Sequence, residues 1–235
     1  MNPPISRETE ANGTLSLVST PIGNLGDMTF RGVETLKQAD AILAEDTRHT
    51  RKLLAHYNIK NRLVAYHDFN KERITPAVIE RLKSGEHLAL VSDAGTPGIS
   101  DPGFYLVRAA LEAGIRVTAI PGANAILPAL AMSGFPTDAF LFEGFLPRKA
   151  GALRRKLETL EKEARTAVLF VSPHKLLAVL EAARDLLPDR RVAVARELTK
   201  IHEEVTVGLP GEVLERYARG KIRGEIVLLI EGAGK

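Results

Sequence analysis

The sequence contains no cysteine and no tryptophan. The absence of cysteine excludes disulfides, thiolate nucleophiles and cysteine-ligated zinc. Six histidines are present, but none forms an HExxH pair or another close ligand spacing, so we expect no metal site. No segment approaches the roughly 20 continuous apolar residues that cross a bilayer. The N-terminus MNPPISRETEANG is polar and lacks the apolar core of a signal peptide. We therefore expect a cytoplasmic protein without membrane contact.

The common cofactor signatures are missing as well. No GxGxxG follows a predicted strand, which argues against a Rossmann-type dinucleotide or methyltransferase glycine motif. The phosphate loop GxxxxGK[ST] and the nucleophile elbow GxSxG are also absent. A cofactor of this protein would therefore be one that needs no phosphate cradle.

What the chain does contain is a repeated alternation of strand and helix patterns. Its 235 residues are 45% hydrophobic and 26% charged, which is ordinary globular usage and enough for one large or two small domains. The alternation predicts an α/β fold. A change of pattern near residues 122 to 130 divides it into residues 1–124 and 125–235. The closely spaced late strands of the second domain predict a mixed sheet.

Three loops of small residues follow predicted strands of the first domain. They read STPIGNLGD (residues 19–27), SDAGTPGISDPG (residues 92–103) and IPGANA (residues 120–125). Glycine and proline give such loops a specified path with little side-chain bulk, and ligands of open α/β sheets bind outside the carboxyl ends of the strands. The loops predict a shared ligand cleft. A fourth loop, AEDTRHT (residues 44–50), is polar, and Asp46 or Thr47 in it suits a helix N-cap.

Positive charge is concentrated in one later segment. Residues 148–165 contain seven basic and three acidic residues, 7 − 3 = +4, whereas the whole chain carries +3. Leucines at helical spacing predict an amphipathic helix, with Ala164 continuing its apolar face. A basic face is either simply solvated or built for a polyanion such as nucleic acid. The predicted RNA-binding residues are Arg148, Lys149, Arg154, Arg155 and Lys156.

Several motifs occur together along nearly the whole chain. They are TPIGNLGD, AEDTR, LVSDAGTPGISDPG, IPG, EGFLPRK and RELTK. In this order they closely resemble the ribosomal RNA small subunit methyltransferase I family, which belongs to the tetrapyrrole-methylase-like class of S-adenosylmethionine enzymes. The resemblance implies two α/β domains with the cofactor cleft between them and a homodimer. It also implies 2′-O-methylation of a cytidine ribose in the decoding region of 16S rRNA, with free rRNA or the assembled small subunit as substrate.

The resemblance also implies which residues hold S-adenosylmethionine. In the wider class the cofactor is bound by the loops that here follow the first strand, a later glycine-rich strand and IPG. The matching residues are Thr20, Pro21, Ile22, Gly23, Asp93, Gly95, Thr96, Pro97, Ile99, Pro121, Gly122, Asn124 and Ala125. IPGANA departs from the family's usual IPGPSA at Ala123 and Asn124, and VSPHK departs from ESPHR at Val171. Asn124 still offers a hydrogen-bonding side chain where serine is usual.

The chemistry requires a ribose hydroxyl to be oriented toward the methyl group and to lose its proton. A hydroxyl is a weak nucleophile unless a base or a cation acts on it. Polar residues of AEDTR, RELTK and the glycine-rich loop suit these tasks, and the sequence does not select the base among them. The predicted catalytic residues are Glu45, Asp46, Arg48, Asp101, Arg196, Glu197 and Lys200.

Two other functions fit parts of the sequence. A tetrapyrrole or other small-molecule methyltransferase would share the scaffold, but it would not account for the basic segment. A non-catalytic RNA-binding module for ribosome assembly would need only the basic helix and would leave the three small-residue loops without a purpose.

Overall fold

A computed structural model describes residues 12–101, 103–147 and 149–234. The chain forms two compact units that meet in sequence between Asn124 and Ala125. No helix in the described ranges is long and apolar enough to cross a membrane.

The first unit is built on a parallel five-stranded sheet. Its strands are β1 (Thr14–Val18), β2 (Ala41–Ala44), β3 (Leu63–Ala65), β4 (Leu88–Val91) and β5 (Arg116–Ile120). The spatial order is β3-β2-β4-β1-β5, and every pair is parallel. The helices between them are α1 (Phe30–Gln38), α2 (Thr47–His56), α3 (Lys71–Lys83) and α4 (Gly103–Glu112), with a short 3₁₀ turn at Leu25–Asp27.

The core of this unit lies on both faces of the sheet. All four residues of β4 are buried: Leu88 and Leu90 join one apolar cluster, and Ala89 and Val91 join another. Side chains of a strand alternate between the two faces, so helices cover both of them. This burial on two sides is typical of a parallel sheet and explains why its strands read as continuous apolar runs.

The second unit contains a mixed sheet, as predicted. Its strands are β6 (Phe140–Phe145), β7 (Thr166–Val171), β8 (Val192–Arg196), β9 (Glu204–Gly208) and β10 (Ile226–Ile230). The order is β6-β7-β10-β8-β9, with β6 and β7 parallel and the remaining pairs antiparallel. Its helices are α5 (Ile126–Ser133), α6 (Ala150–Thr159), α7 (Leu176–Leu186) and α8 (Pro210–Ala218), with a 3₁₀ turn at Pro173–Lys175.

Two details of the second unit differ from the sequence expectation. Helix α5 was not predicted, because Pro128 within it reads as a loop residue. The proline occupies the first helical turn, where its missing N–H would have no intrahelical acceptor. Helix α6 ends at Thr159, and Ala164 is exposed, so the expectation that Ala164 continues the apolar face is wrong.

The early end of α6 has a visible cause. The guanidinium of Arg190 donates to the carbonyl of Leu160 at 3.0 Å and to those of Glu161 and Glu163 at 3.2 and 3.3 Å. It also donates to the carbonyl of Glu231. These carbonyls are therefore satisfied by a side chain instead of by a further helical turn.

Candidate active site

The four loops singled out in the sequence lie at the same end of the first sheet, where its strands finish. Each follows the carboxyl end of a strand, namely β1, β2, β4 or β5, and all strands run in the same direction. In the sheet β4 lies between β2 and β1, and β5 lies on the other side of β1. The order of the strands therefore places the four loops side by side.

The loops after β1 and β4 are joined through their main chains. Thr20 N donates to Gly95 O and Gly95 N donates to Thr20 O, both at 2.9 Å. The Thr20 hydroxyl is buried and donates to Ser92 O at 3.1 Å. The hydroxyls of Ser19 and Thr96 are 3.0 Å apart. Thr20, predicted to bind the cofactor, thus uses its side chain to hold two loops together.

Two glycines shape the contact of the third loop, after β5, with the other loops: Gly122 allows a close approach, and Gly95 allows an unusual backbone conformation. Gly95 has φ +83, and a Cβ placed on it would lie 3.7 Å from Ile22 Cγ2 and 3.9 Å from Ala123 O. A Cβ on Gly122 would lie only 2.9 Å from the Ser19 Cβ. A side chain at Gly122 would therefore push the β5 loop away from the β1 loop, and Gly95 has a backbone conformation that L-residues rarely adopt.

Asp101 fixes the path of the glycine-rich loop. Its Oδ1 accepts hydrogen bonds from Gly98 N at 2.7 Å and from Gly103 N at 2.8 Å. Burial raises the pKa of Asp101. The adjacent Ser100 has φ +64. The geometry gives this predicted catalytic residue a role in holding the loop, and its participation in catalysis stays a prediction.

Asp46 caps helix α2 and pairs with Arg48. Its Oδ1 accepts from Arg48 N at 2.8 Å, which confirms the N-cap prediction, and its Oδ2 lies 2.9 Å from Arg48 Nη2. The guanidinium of Arg48 lowers the pKa of Asp46 well below its usual range. Asp46 N donates to Asp93 Oδ1 at 3.1 Å, which links this loop to the glycine-rich loop.

The pKa of Glu45 is shifted in the direction opposite to that of Asp46. Its pKa is raised, first by burial and then by the negative charge of Asp93, with smaller effects of Asp101 and Asp68. Burial disfavours the ionised form, and neighbouring carboxylates add repulsion. A cation placed near these groups would relieve that repulsion. Among the described residues, no group of three or more His, Cys, Asp or Glu side chains has a geometry that could hold a metal ion.

The residues of RELTK form a separate cluster in the second unit. Lys200 Nζ lies 2.8 Å from Glu197 Oε1 and 3.1 Å from Glu225 Oε2. Lys200 lowers the pKa of Glu197, and hydrogen bonds to both carboxylates outweigh partial burial and raise the pKa of Lys200. Arg196 Nε lies 2.8 Å from Glu204 Oε1. The three predicted residues are therefore neighbours, and each charge has a partner.

Two residues of this cluster have backbone dihedral angles that are unusual for non-glycine residues. Glu197 and Thr199 have φ +53 and +67, values that non-glycine residues seldom adopt. The Thr199 hydroxyl is buried without a hydrogen-bond partner in the described part of the chain. Strain of this kind is often found at functional sites. Sequence reasoning missed Thr199, although it lies within RELTK, because a backbone of positive φ leaves no mark at a threonine, and it missed Glu225 because that residue joins the motif only in the fold.

The predicted RNA-binding helix is less cationic than its sequence indicates. Arg154 Nη1 lies 3.3 Å from Asp185 Oδ2, and Lys156 pairs with Glu143. Lys149 and Arg155 are exposed, whereas Arg148 lies outside the described residues. Two of the five predicted cations are therefore partly neutralised within the protein, and their contact with RNA stays a prediction.

Comparison with known proteins gives a consistent picture. Residues 14–214 match the family of tetrapyrrole (corrin/porphyrin) methylases. The chain is 47% identical to the ribosomal RNA small subunit methyltransferase I of Halalkalibacterium halodurans, over 97% of this chain and 79% of that protein. Identity to the protein of the same name from Synechocystis is 50%, over 94% and 80% of the two chains. These relatives confirm the family resemblance of the motifs.

The fold is also found in solved structures. The uroporphyrin-III C-methyltransferase of Thermus thermophilus, complexed with S-adenosylhomocysteine, superposes with a TM-score of 0.63. The match covers 93% of this chain and 97% of that chain at 18% sequence identity. At this identity the likeness establishes the shared fold, and the two-domain α/β prediction of this methyltransferase class is confirmed.

Proposed function

This chain belongs to the ribosomal RNA small subunit methyltransferase I family, and we therefore propose that it methylates small-subunit rRNA with S-adenosylmethionine. We assign the 2′-oxygen of a cytidine ribose in the decoding region of 16S rRNA as the acceptor. The observation that carries the proposal is the identity of 47% and 50% to two proteins of this name over more than nine-tenths of the chain.

The joined loops of the first unit suit the cofactor. When bound, S-adenosylmethionine supplies a methyl group activated by a positively charged sulfonium. These loops carry little side-chain bulk, so a ligand can lie directly against their main chain, and Gly122 lets two of them pack closely together. The carboxylates near Glu45 carry the charge opposite to that of the sulfonium. We therefore assign cofactor binding to these loops.

Glu45 and Asp46 suit different tasks although they are adjacent in sequence. A general base works best when its pKa lies near the operating pH. Burial moves the pKa of Glu45 in that direction, whereas Arg48 moves the pKa of Asp46 away from it. We therefore assign Glu45 as the group that accepts the ribose proton at its carboxylate, and Asp46 as the residue that orients Arg48.

The RELTK residues contribute fixed charge. The raised pKa of Lys200 keeps its ammonium protonated, so it acts as a cation and not as a base. Glu197 and Glu225 hold that ammonium in one position. A fixed cation stabilises a developing oxyanion better than a mobile one, because no reorganisation is required during the reaction.

We also propose that the protein acts as a homodimer in the cytoplasm, as its resemblance to the family implies. One face of α4 supports self-association: Phe104 and Leu111 are 66% and 60% exposed, and Tyr105 is exposed beside them. Large exposed apolar side chains in one region mark interaction sites more often than isolated ones do. Sedimentation equilibrium tests this: a dimer is expected, and a monomer at micromolar concentration would contradict it.

The function is tested by mass mapping of methyl groups. Wild-type protein and S-adenosylmethionine are incubated with unmethylated 16S rRNA, with assembled small subunits and, in a separate reaction, with a tetrapyrrole substrate. We expect methylation of one cytidine, located on the ribose by the mass of the released base and nucleoside. Methylation of the tetrapyrrole alone would instead assign a small-molecule methyltransferase. Binding of RNA without methyl transfer to any substrate would favour the assembly module.

A further inference from the structure

A second cationic segment lies between α8 and β10. Residues 216–224 include Arg216, Arg219, Lys221 and Arg223 and contain no acidic residue. All four side chains are exposed. We call Arg219, Lys221 and Arg223, which occupy alternate positions after the end of α8, the cationic loop.

The cationic loop differs from the basic helix α6 in how its charges are compensated. In the described ranges none of its three side chains forms an ion pair. On α6, by contrast, Arg154 and Lys156 are paired with carboxylates of the same unit. An unpaired cation can exchange its counterions for phosphate without first giving up an intramolecular partner.

Stabilisation of the helix dipole does not account for these charges. Cations interact favourably with a helix C-terminus only within its last turn. Arg216 lies in that turn, since α8 ends at Ala218. Lys221 and Arg223 lie beyond it. At least two cations of the loop therefore have no role in supporting α8.

The cationic loop is attached to the RELTK cluster by hydrogen bonds. Arg196 Nη1 donates to Arg223 O at 3.2 Å, and Glu225 N donates to Glu197 Oε1 at 3.0 Å. Glu197 N in turn donates to Glu225 O at 2.9 Å. Gly224, with φ +87, allows this contact, because a Cβ there would lie 2.3 Å from the Glu197 Cδ. A polyanion held by the loop would therefore have a defined position relative to Lys200.

We propose that the cationic loop binds backbone phosphates of the RNA substrate next to the RELTK cluster. This inference rests on the proposed function, since it takes RNA to be the substrate. It assigns the main electrostatic contact to Arg219, Lys221 and Arg223 instead of to the paired cations of α6. Phosphate contacts of this kind position the nucleic acid and carry no sequence information themselves.

The test compares two variants from which the same charge has been removed. R219A/K221A/R223A removes the cationic loop. K60A/R62A/R116A removes three exposed cations near the amino ends of strands β3 and β5. These positions lie at the end of the first sheet opposite to its four loops. Binding of a 16S rRNA transcript is measured by fluorescence anisotropy at several salt concentrations. Calorimetry with S-adenosylhomocysteine and thermal unfolding show whether each variant is intact.

The loop variant should bind RNA more weakly, with a log–log salt slope smaller by about 0.7 to 0.9 for each lost contact, or about 2 to 3 in total. R219K/K221R/R223K, which retains the charges, should keep the wild-type slope. The control variant should also keep that slope, and S-adenosylhomocysteine binding should be unchanged in all of them. An unchanged slope in the loop variant would overturn the inference, as would equal losses in the loop variant and the control. If the wild-type protein binds neither the transcript nor assembled small subunits, the proposed function fails, and this inference fails with it.

Discussion

Replacement of Gly95 by alanine tests whether the junction of the three loops is the cofactor site. A Cβ at this position would meet its nearest neighbour at 3.7 Å, an ordinary van der Waals distance, so the methyl group itself fits. The cost comes from the backbone, because φ is +83 and an L-residue in a left-handed conformation costs about 1 to 2 kcal/mol. Either the protein becomes less stable by that amount, or the loop relaxes and weakens its paired hydrogen bonds with Thr20.

A relaxed loop would move the main chain to which we assign cofactor binding. We expect Gly95→Ala to weaken S-adenosylhomocysteine binding about tenfold, which corresponds to about 1.4 kcal/mol. Gly95→Val should abolish binding, because a β-branched side chain at positive φ is a genuine outlier and its methyl groups occupy additional space.

Gly114 provides the matched control for this experiment. It has φ +70, lies in the turn before β5, and a Cβ there would have nothing within 4 Å. Gly114→Ala should therefore cost similar stability in urea unfolding while leaving ligand affinity unchanged in calorimetry. If folded Gly95→Ala protein binds S-adenosylhomocysteine as tightly as Gly114→Ala protein, the junction is not the cofactor site.

Three further substitutions test individual side chains. Asp46→Asn should keep the helix cap but weaken the ion pair with Arg48, and since misplacement of a positioning group can cost about 10²-fold, single-turnover methylation should fall by about that factor with ligand binding intact; a wild-type rate would leave Asp46 as a cap only. The raised pKa of Glu45 means that the folded state binds its proton more tightly, so its contribution to stability is lost as pH rises through the folded pKa. Glu45→Gln should therefore be more stable than wild type at neutral pH, and this difference should disappear below about pH 4.3 in urea unfolding; a constant difference would contradict the electrostatic reasoning. Arg190→Met should destabilise the second unit by about 1 to 3 kcal/mol, because four carbonyls lose a donor, and an unchanged urea midpoint would refute this.

The α/β architecture could be predicted from the sequence because the patterns that specify its strands are local. The apolar runs of β2 and β4, for example, are uninterrupted and bounded by polar or small residues, as expected for buried parallel strands. Helix α5 was missed because a proline in the first helical turn and a proline in a loop produce the same local pattern. Its helical state depends on packing against β8, β9 and β10, which no short window of sequence contains.

The electrostatics of the site were less predictable, since they depend on partners distant in sequence. Arg154 is neutralised by Asp185, 31 positions away, and Glu197 accepts a hydrogen bond from Glu225 N, 28 positions away. Counting charges along a segment therefore overestimated the free charge of α6. The same counting overlooked the cationic loop, whose three cationic side chains form no ion pair with a carboxylate in the described part of the chain.

The departures from the family motif in IPGANA lie where the main chain of this loop passes Gly95. The atoms of this loop that lie closest to Gly95 are Ala123 O and Asn124 Cα, at 3.9 Å from the position of its Cβ. Both belong to the backbone, so a change of side chain at either position leaves these atoms in place as long as the chain follows the same path. That path depends on Gly122, whose missing side chain allows the close approach to Ser19. Residue 122 therefore requires glycine, whereas the position of Ala123 O does not depend on the side chain of residue 123.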